Sequence, residues 1–144
     1  MPTHLRKKQR PQWTRSFCFL FVIFFGTYPS LGHAQEDEIA ASGKFQYQSH
    51  CAVCHGVNGA GDGRMAGELL TTPADLTQLA KRNGGRFPFW EVYGVIDGRN
   101  EVKAHGPRTM PIWSDWFFNA EGSELLATAR VLELVYYLKS LQEK

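Results

Sequence analysis

Apolar residues recur at helical spacing near the end of the chain, and this pattern predicts an amphipathic helix over residues 124–142. One stripe lies along it, and a second set of apolar residues widens that stripe. The stripe consists of Leu125, Ala129, Leu132 and Tyr136, and the second set of Val131, Leu134, Val135, Leu138 and Leu141. Ser123 is the predicted N-cap, because a serine oxygen accepts a hydrogen bond from an amide of the first turn.

A second helix is predicted just before residue 51. Ala40, Gly43, Tyr47 and Cys51 are spaced by 3, 4 and 4 residues, so they share one helical face. A glycine inside a helix costs about 1 kcal/mol relative to alanine. Gly43 therefore indicates either a close crossing with another helix or a first turn that frays.

A third helix is predicted after Pro88, because proline is tolerated at the start of a helix. Phe89, Val92, Tyr93 and Ile96 form an apolar stripe there, and Gly98 ends it. The stripe predicts a core-facing surface.

The segments between these helices carry shorter patterns. Residues 56–63 contain four glycines and predict a tight loop; without a G-x-x-x-x-G-K-[ST] motif or a preceding strand, a phosphate-binding loop is disfavoured. Residues 64–70 predict one helical turn, and residues 75–82 a short helix closed by the glycines at 84 and 85. Residues 99–120 are rich in aromatic side chains but lack a period, which predicts a packed loop. No strand is predicted, so the fold class is all-α.

Charge is distributed unevenly along the chain. Residues 1–34 contain five basic residues and no acidic one, whereas residues 35–144 contain 11 Lys and Arg against 14 Asp and Glu, a net charge of −3. The sequence pI near 8.5 therefore reflects the N-terminal segment. The remaining chain has no basic, aromatic-interleaved patch, and we expect no nucleic-acid partner.

The N-terminal segment has the layout of a secretory signal peptide. Its basic part ends at Arg15, an apolar run covers residues 17–25, and small residues precede a cleavage position after Ala34. The alternative is an uncleaved anchor, although the run is shorter than the roughly 20 apolar residues that span a bilayer. We expect a signal peptide over 1–34, an exported domain over 35–144 and periplasmic localisation. Membrane attachment is expected only if the segment stays uncleaved.

Residues 51–55 read C-A-V-C-H, the pattern of covalent attachment of a c-type haem. Cysteines three residues apart lie on one side of a helical turn and can meet the two vinyl groups of one porphyrin. His55 can then offer an imidazole nitrogen to the iron. A zinc half-site lacks a second cysteine pair, and a thioredoxin-like dithiol lacks a βαβ context. The motif predicts one covalently attached haem c on Cys51 and Cys54, with His55 as axial ligand.

Four residues of the exported domain are candidates for the sixth iron ligand. His50 is expected to point away from the ring if His55 points towards it, and Met65 follows His55 too closely to reach round the ring edge. Met110 has ample chain to reach the opposite face, and Pro111 restricts it to extended backbone. Met110 is the predicted ligand, with His105 in the same segment as the alternative.

Over residues 36–143 the chain resembles class I (monohaem) bacterial c-type cytochromes. The resemblance is carried by the C-A-V-C-H-G motif with its glycine-rich continuation, by Gly43 with Tyr47, by the apolar run at 135–141, and by Met110-Pro111-x-Trp113. It implies a cytochrome c-like fold of about four to five helices wrapped around one covalently attached haem. It also implies that the N- and C-terminal helices cross with Gly43 near Tyr136 or Tyr137.

The same resemblance implies roles for other residues. Pro73 is the candidate to present its carbonyl to the imidazole of His55. A hydrogen bond to this carbonyl would fix the orientation and the tautomer of the ring. Trp90, Tyr93 and Arg99 are candidate contacts to the haem or its propionates. Members of this family often surround the haem edge with lysines, and the net acidic charge of residues 35–144 argues against that mode of docking here.

A six-coordinate iron leaves no open position for a substrate, which favours electron transfer over catalysis. We therefore expect a periplasmic electron carrier, not an enzyme, with redox proteins as donor and acceptor. One alternative is a haem c subunit of a periplasmic dehydrogenase or oxidase complex. The other is a haem sensor or peroxidase-like protein with a displaceable sixth ligand.

Overall fold

A long helix leads into the C-A-V-C-H motif in the computed structural model of the protein, which describes residues 31–98 and 110–143. Helix α1 spans Leu31–His50, and the short helix α2 spans Ala52–His55. The remaining helices are α3 (Leu79–Arg82), α4 (Phe89–Asp97), α5 (Trp113–Glu121) and α6 (Glu124–Ser140). The part of the chain that is described contains helices and no strand, which confirms the all-α prediction.

Helices α1 and α6 cross closely at Gly43. A Cβ atom at Gly43 would lie 1.9 Å from the backbone oxygen of Glu133 and 2.9 Å from Cβ of Tyr137. The glycine thus lets the two backbones approach, which confirms a close crossing and rules out the frayed turn. One turn further along α1, the Tyr47 ring packs on Tyr137 with centroids 5.2 Å apart.

Helix α6 forms the centre of the core. Its buried residues include Val131, Leu134, Val135 and Leu138, which belong to the second apolar set predicted for this helix. The first stripe does not begin in the core, because its first residue, Leu125, is 78% exposed. Helix α6 packs against α4 and α5. Ser123 accepts from the Leu126 amide at 3.5 Å, as predicted for the N-cap.

Helix α5 corrects the prediction of a loop over residues 99–120. Trp113 and Phe117, four residues apart, are buried, while Trp116 and Phe118 are 44% and 45% exposed. Aromatic side chains therefore occupy both faces of this helix, which hides its period in the sequence. Gly122, with φ of 68°, ends the helix in the left-handed conformation. Residues 99–109 lie outside the described part.

The shorter elements agree with the predictions in position. Helix α4 follows Pro88, buries Val92 and Ile96, and ends at Gly98 with φ of 95°. The helix predicted over 75–82 consists of a 3-10 turn, Leu76–Gln78, followed by α3. The turn predicted within 64–70 is the 3-10 turn Ala66–Glu68.

No helix among the described residues is long and apolar enough to cross a membrane. The predicted signal segment falls mostly on residues 1–30, outside that part of the chain. The division into a signal peptide and an exported domain at residue 34 therefore stays a prediction.

Candidate functional site

The two cysteines and the histidine of the motif lie on one helical turn. The amides of Cys54 and His55 donate to the Cys51 carbonyl at 3.1 and 2.9 Å, and the Gly56 amide donates to the Ala52 carbonyl at 2.9 Å. Cys51 and Cys54 are half-buried, and neither takes part in a disulfide. This turn presents two thiols on one side, at the spacing that attachment to one porphyrin requires.

The environment of Cys51 is unlike that of a redox dithiol. Burial, followed by the charge of the Cys54 thiolate, raises the pKa of Cys51 to about 12. Redox-active C-x-x-C pairs depend instead on a lowered thiol pKa. Nor is a zinc half-site completed in residues 31–98 or 110–143, where no three His, Cys, Asp or Glu residues are grouped to hold a metal ion.

The imidazole of His55 is oriented by a backbone carbonyl. Its Nδ1 lies 3.1 Å from the oxygen of Ala74. Because a carbonyl oxygen only accepts, Nδ1 carries the proton and donates, so in the neutral ring Nε2 is the nitrogen whose lone pair can bind a metal. Such a bond fixes both the tautomer and the orientation of the ring.

The prediction that Pro73 supplies this carbonyl is corrected by one residue, to Ala74. The Pro73 oxygen lies instead against the glycine-rich loop, where a Cβ at Gly61 would be only 2.5 Å from it. Pro73 therefore packs against the loop backbone, and the next carbonyl along the chain faces His55. Sequence spacing of a single residue does not distinguish these two directions.

The glycine-rich loop folds back onto the attachment turn. The Gly61 amide donates to the His55 carbonyl at 2.8 Å, and the Gly63 amide to the Cys54 carbonyl at 3.2 Å. A Cβ at Gly63 would lie 2.5 Å from the Cys54 carbonyl, so the loop backbone needs a glycine there. These contacts hold the turn that carries the candidate ligands.

Tyr47 contributes to the site, although its spacing in the sequence indicates only a position on a helix face. Its ring is 1% exposed, and its hydroxyl donates to the carbonyl of Gly56 at 2.7 Å. Gly56 directly follows His55, so this bond ties α1 to the end of the attachment turn. The one feature of the sequence that could have indicated this bond is the hydroxyl of Tyr47, since a buried phenol needs a hydrogen-bond partner.

The segment that carries Ala74 is held from both sides. Asp75 accepts from the Thr77 amide at 2.9 Å, and the hydrogen bond from the Thr77 hydroxyl lowers the pKa of this carboxyl. From the end of α6, the Gln142 side chain accepts from the Ala80 amide and donates to the Leu76 carbonyl, both at 2.8 Å. The segment whose Ala74 carbonyl orients His55 is therefore held in place in part by Gln142, which follows α6.

The candidates for the sixth ligand occupy different surroundings. Met110 is half-buried and packs against the core, whereas Met65 is 42% exposed. The His50 ring lies among the aromatic rings of α5, its nearest centroid being that of Trp116 at 4.3 Å. His105 lies outside the described residues.

The other candidate haem contacts are also separated by the structure. Tyr93 is half-buried against the core, and Trp90 is 72% exposed with its ring 5.9 Å from that of Tyr93. Arg99 falls among the residues that are not described. The fold thus brings Cys51, Cys54 and His55 together on one turn and places Met110 at the core.

An all-helical chain in which two thiols and an oriented imidazole share one turn defines a protein that binds haem covalently. The family described as cytochrome c matches residues 40–142, and the chain belongs to the cytochrome c family. Its cofactor is haem c, covalently bound and containing iron, and its chemistry is haem-based electron transfer. Neither the curated proteins nor the solved structures contain a match to the chain.

Proposed function

We propose that the chain is an exported electron carrier of the class I bacterial type, with one haem and with redox proteins as its periplasmic donor and acceptor. Cys51 and Cys54 hold the haem, and His55 and Met110 are the axial ligands of the iron. The observation that carries this proposal is the bond from His55 Nδ1 to Ala74, which fixes the tautomer in which Nε2 can ligate a metal. When bound, the haem supplies a reversible one-electron couple.

Met110 is favoured as the second axial ligand by the way its segment is held. Ile112 packs on Gly98, where a Cβ would lie 2.5 Å from Cγ2 of Ile112. The Ser114 hydroxyl donates to the Asp97 carbonyl, so both ends of the segment 98–114 are joined. A thioether next to residues that are held in this way suits an electron carrier, and pairing it with histidine raises the reduction potential.

A six-coordinate iron also bears on the type of reaction. If side chains filled both axial positions, no substrate would reach the metal, and the haem would supply one-electron exchange with partner proteins. The sensor or peroxidase-like alternative needs an open sixth position. Carbon monoxide binding to the reduced protein at neutral pH would favour that alternative.

The haem subunit of a dehydrogenase or oxidase complex is a second candidate. It is favoured by apolar side chains exposed on either side of the Gly122 turn, where Phe118 and Leu126 are 45% and 43% exposed and Leu125 is 78% exposed. Co-purification with other chains at constant stoichiometry would support the subunit. A monodisperse single chain, fully active as a carrier, would exclude it.

The visible spectrum of the exported holoprotein tests the proposed ligation. We expect a low-spin, two-thioether c-type spectrum with a methionine–iron charge-transfer band in the oxidised form. Met110→Ala should lose this band while the haem stays attached. Met65→Ala is the matched control, since Met65 is exposed, and it should keep the band. A band that persists in Met110→Ala would contradict the assignment.

Fractionation of cells and the mass of the exported chain test the localisation. A periplasmic protein whose mass corresponds to a start at Gln35 with one haem supports the proposal. A chain of full length in the membrane fraction identifies the N-terminal segment as an anchor.

A further inference from the structure

His50 makes an aromatic contact with α5 that the electron-transfer chemistry does not explain. Its ring centroid lies 4.3 Å from that of Trp116, 5.5 Å from Trp113 and 5.8 Å from Phe117. Burial among these rings lowers the pKa of His50, which favours the neutral imidazole that packs there. Three rings of one helix therefore contact a residue that directly precedes Cys51.

The contact between His50 and α5 matters because α5 lies close to Met110 in the chain. Helix α5 begins three residues after Met110, and the contacts of its first turn with the end of α4 involve Ser114 and Ile112. Those contacts join the two ends of the segment that contains Met110. They do not relate that segment to the attachment turn.

The His50 contact relates the two. In the described part of the chain, the aromatic contacts between α1 and α5 all involve His50. The backbone of α5 packs mainly on α6 and α4, so this side chain bridges from the last residue of α1. The next residue carries the first thiol of the attachment turn.

We propose that His50 is a positioning residue: by packing on Trp116 and Trp113, it holds the start of α5, and with it Met110, in place relative to the attachment turn and so keeps the methionine on the iron. The proposal rests on the Met110 ligation proposed above. His50 does not touch the iron in this role. It biases the equilibrium between a form in which Met110 is bound to the iron and an open form in which Met110 is released.

Displacement of the methionine by added imidazole measures this equilibrium. An external ligand binds only the open form, so its apparent Kd falls as the open population rises. For His50→Ala we expect an apparent Kd for imidazole about tenfold lower than in the wild-type holoprotein, the size expected for the loss of aromatic packing. His50→Phe keeps an aromatic ring and should stay within about twofold of wild type.

Two further variants make the test specific. Gln48→Ala changes an exposed residue of the same helical turn and should leave the Kd unchanged. Trp116→Ala should reproduce the effect of His50→Ala, and the double variant should show much less than the sum of the two, because both remove one contact. If His50→Ala fails to fold, His50→Leu and Trp116→Ala carry the same test.

The outcomes separate this proposal from the one on which it rests. A wild-type protein without the methionine band refutes the Met110 ligation and this proposal with it. A wild-type band together with unchanged imidazole binding in His50→Ala overturns the positioning role alone. A lower melting temperature with unchanged imidazole binding also overturns it, since that result shows only a structural contact.

Discussion

At the scale of a single residue, Tyr47 combines two roles. The ring fills the crossing between α1 and α6, and the hydroxyl reaches the Gly56 carbonyl, one residue beyond His55. Burial raises the pKa of Tyr47 well above its ordinary value, so the phenol keeps its proton and remains a donor. Packing and ligand orientation are thus linked through one side chain.

Tyr47→Phe tests this link. The variant keeps the ring but removes one partner of the Gly56 carbonyl, which should lower the free energy of unfolding of the holoprotein by about 1–2 kcal/mol. Urea denaturation followed by far-UV circular dichroism measures the change.

Tyr137→Phe is the matched control for Tyr47→Phe. It removes a hydroxyl from the same pair of rings, and no hydrogen bond of that hydroxyl to a described residue is found. Its effect should stay below about 0.5 kcal/mol. Equal losses in both variants would show that the bond to Gly56 is not the cause.

Residue-scale detail also limits what sequence patterns predict. Pro73 and Ala74 are adjacent, and only the path of the backbone past Gly61 decides which carbonyl faces His55. A one-residue change reverses the direction of a carbonyl in extended chain. The presence of an acceptor near residue 73 was predictable, but its identity was not.

At the scale of elements, the crossing of α1 and α6 depends on one missing side chain. The nearest atoms to a Cβ at Gly43 are backbone atoms of Glu133, which cannot rotate away. The helix that glycine weakens is therefore stabilised by the packing that glycine permits.

Gly43→Ala should destabilise the holoprotein by about 1–3 kcal/mol, as expected for overpacking, despite the better helix propensity of alanine. Gly67→Ala is the control, because a Cβ at Gly67 would meet no atom within 4 Å. That variant should change the free energy of unfolding by less than about 1 kcal/mol. Thermal or urea unfolding distinguishes the two, and a neutral Gly43→Ala would contradict the close crossing.

Helix α5 offers a pair of neighbouring phenylalanines in opposite environments. Phe117 is 1% exposed and Phe118 is 45% exposed. Phe117→Ala should cost about 3–5 kcal/mol of unfolding free energy, because it leaves a large cavity in the core. Phe118→Ala should cost less than about 1 kcal/mol. Similar losses in both variants would contradict the register of this helix.

At the scale of the whole molecule, the haem contributes to the fold as well as to the chemistry. A chain of this length has a modest core, and part of that core, including Tyr93, Met110 and Leu79, is only half-buried. A covalently held haem cannot dissociate, and it adds apolar contacts to this core. Folding and cofactor attachment are therefore expected to be coupled.

The double variant Cys51→Ser, Cys54→Ser tests this coupling, because it removes both attachment points. We expect the exported, haem-free chain to be largely unfolded, with most of the helical circular dichroism of the holoprotein lost and no sharp thermal transition. The wild-type holoprotein under the same conditions is the reference. A haem-free chain that melts cooperatively would show that the protein core suffices.

Local patterns in the sequence determined much of this protein. The C-A-V-C-H turn, Pro88 and Gly98 around α4, and the Ser123 cap all depend on residues within one or two helical turns. Their physics is short-range, so spacing and residue type predict them. The attachment turn was predictable for the same reason, since Cys51, Cys54 and His55 lie within five residues of one another.

Only the tertiary structure decided which distant groups meet. The helix at 113–121, the choice of Ala74 over Pro73, the bond from Tyr47 to Gly56 and the packing of His50 on Trp116 all arise from the assembled fold. Each depends on surfaces brought together from separate parts of the chain, where burial outweighs local preference. The sequence by itself thus specified the attachment turn, and the packing of the helices determined how that turn is oriented and held.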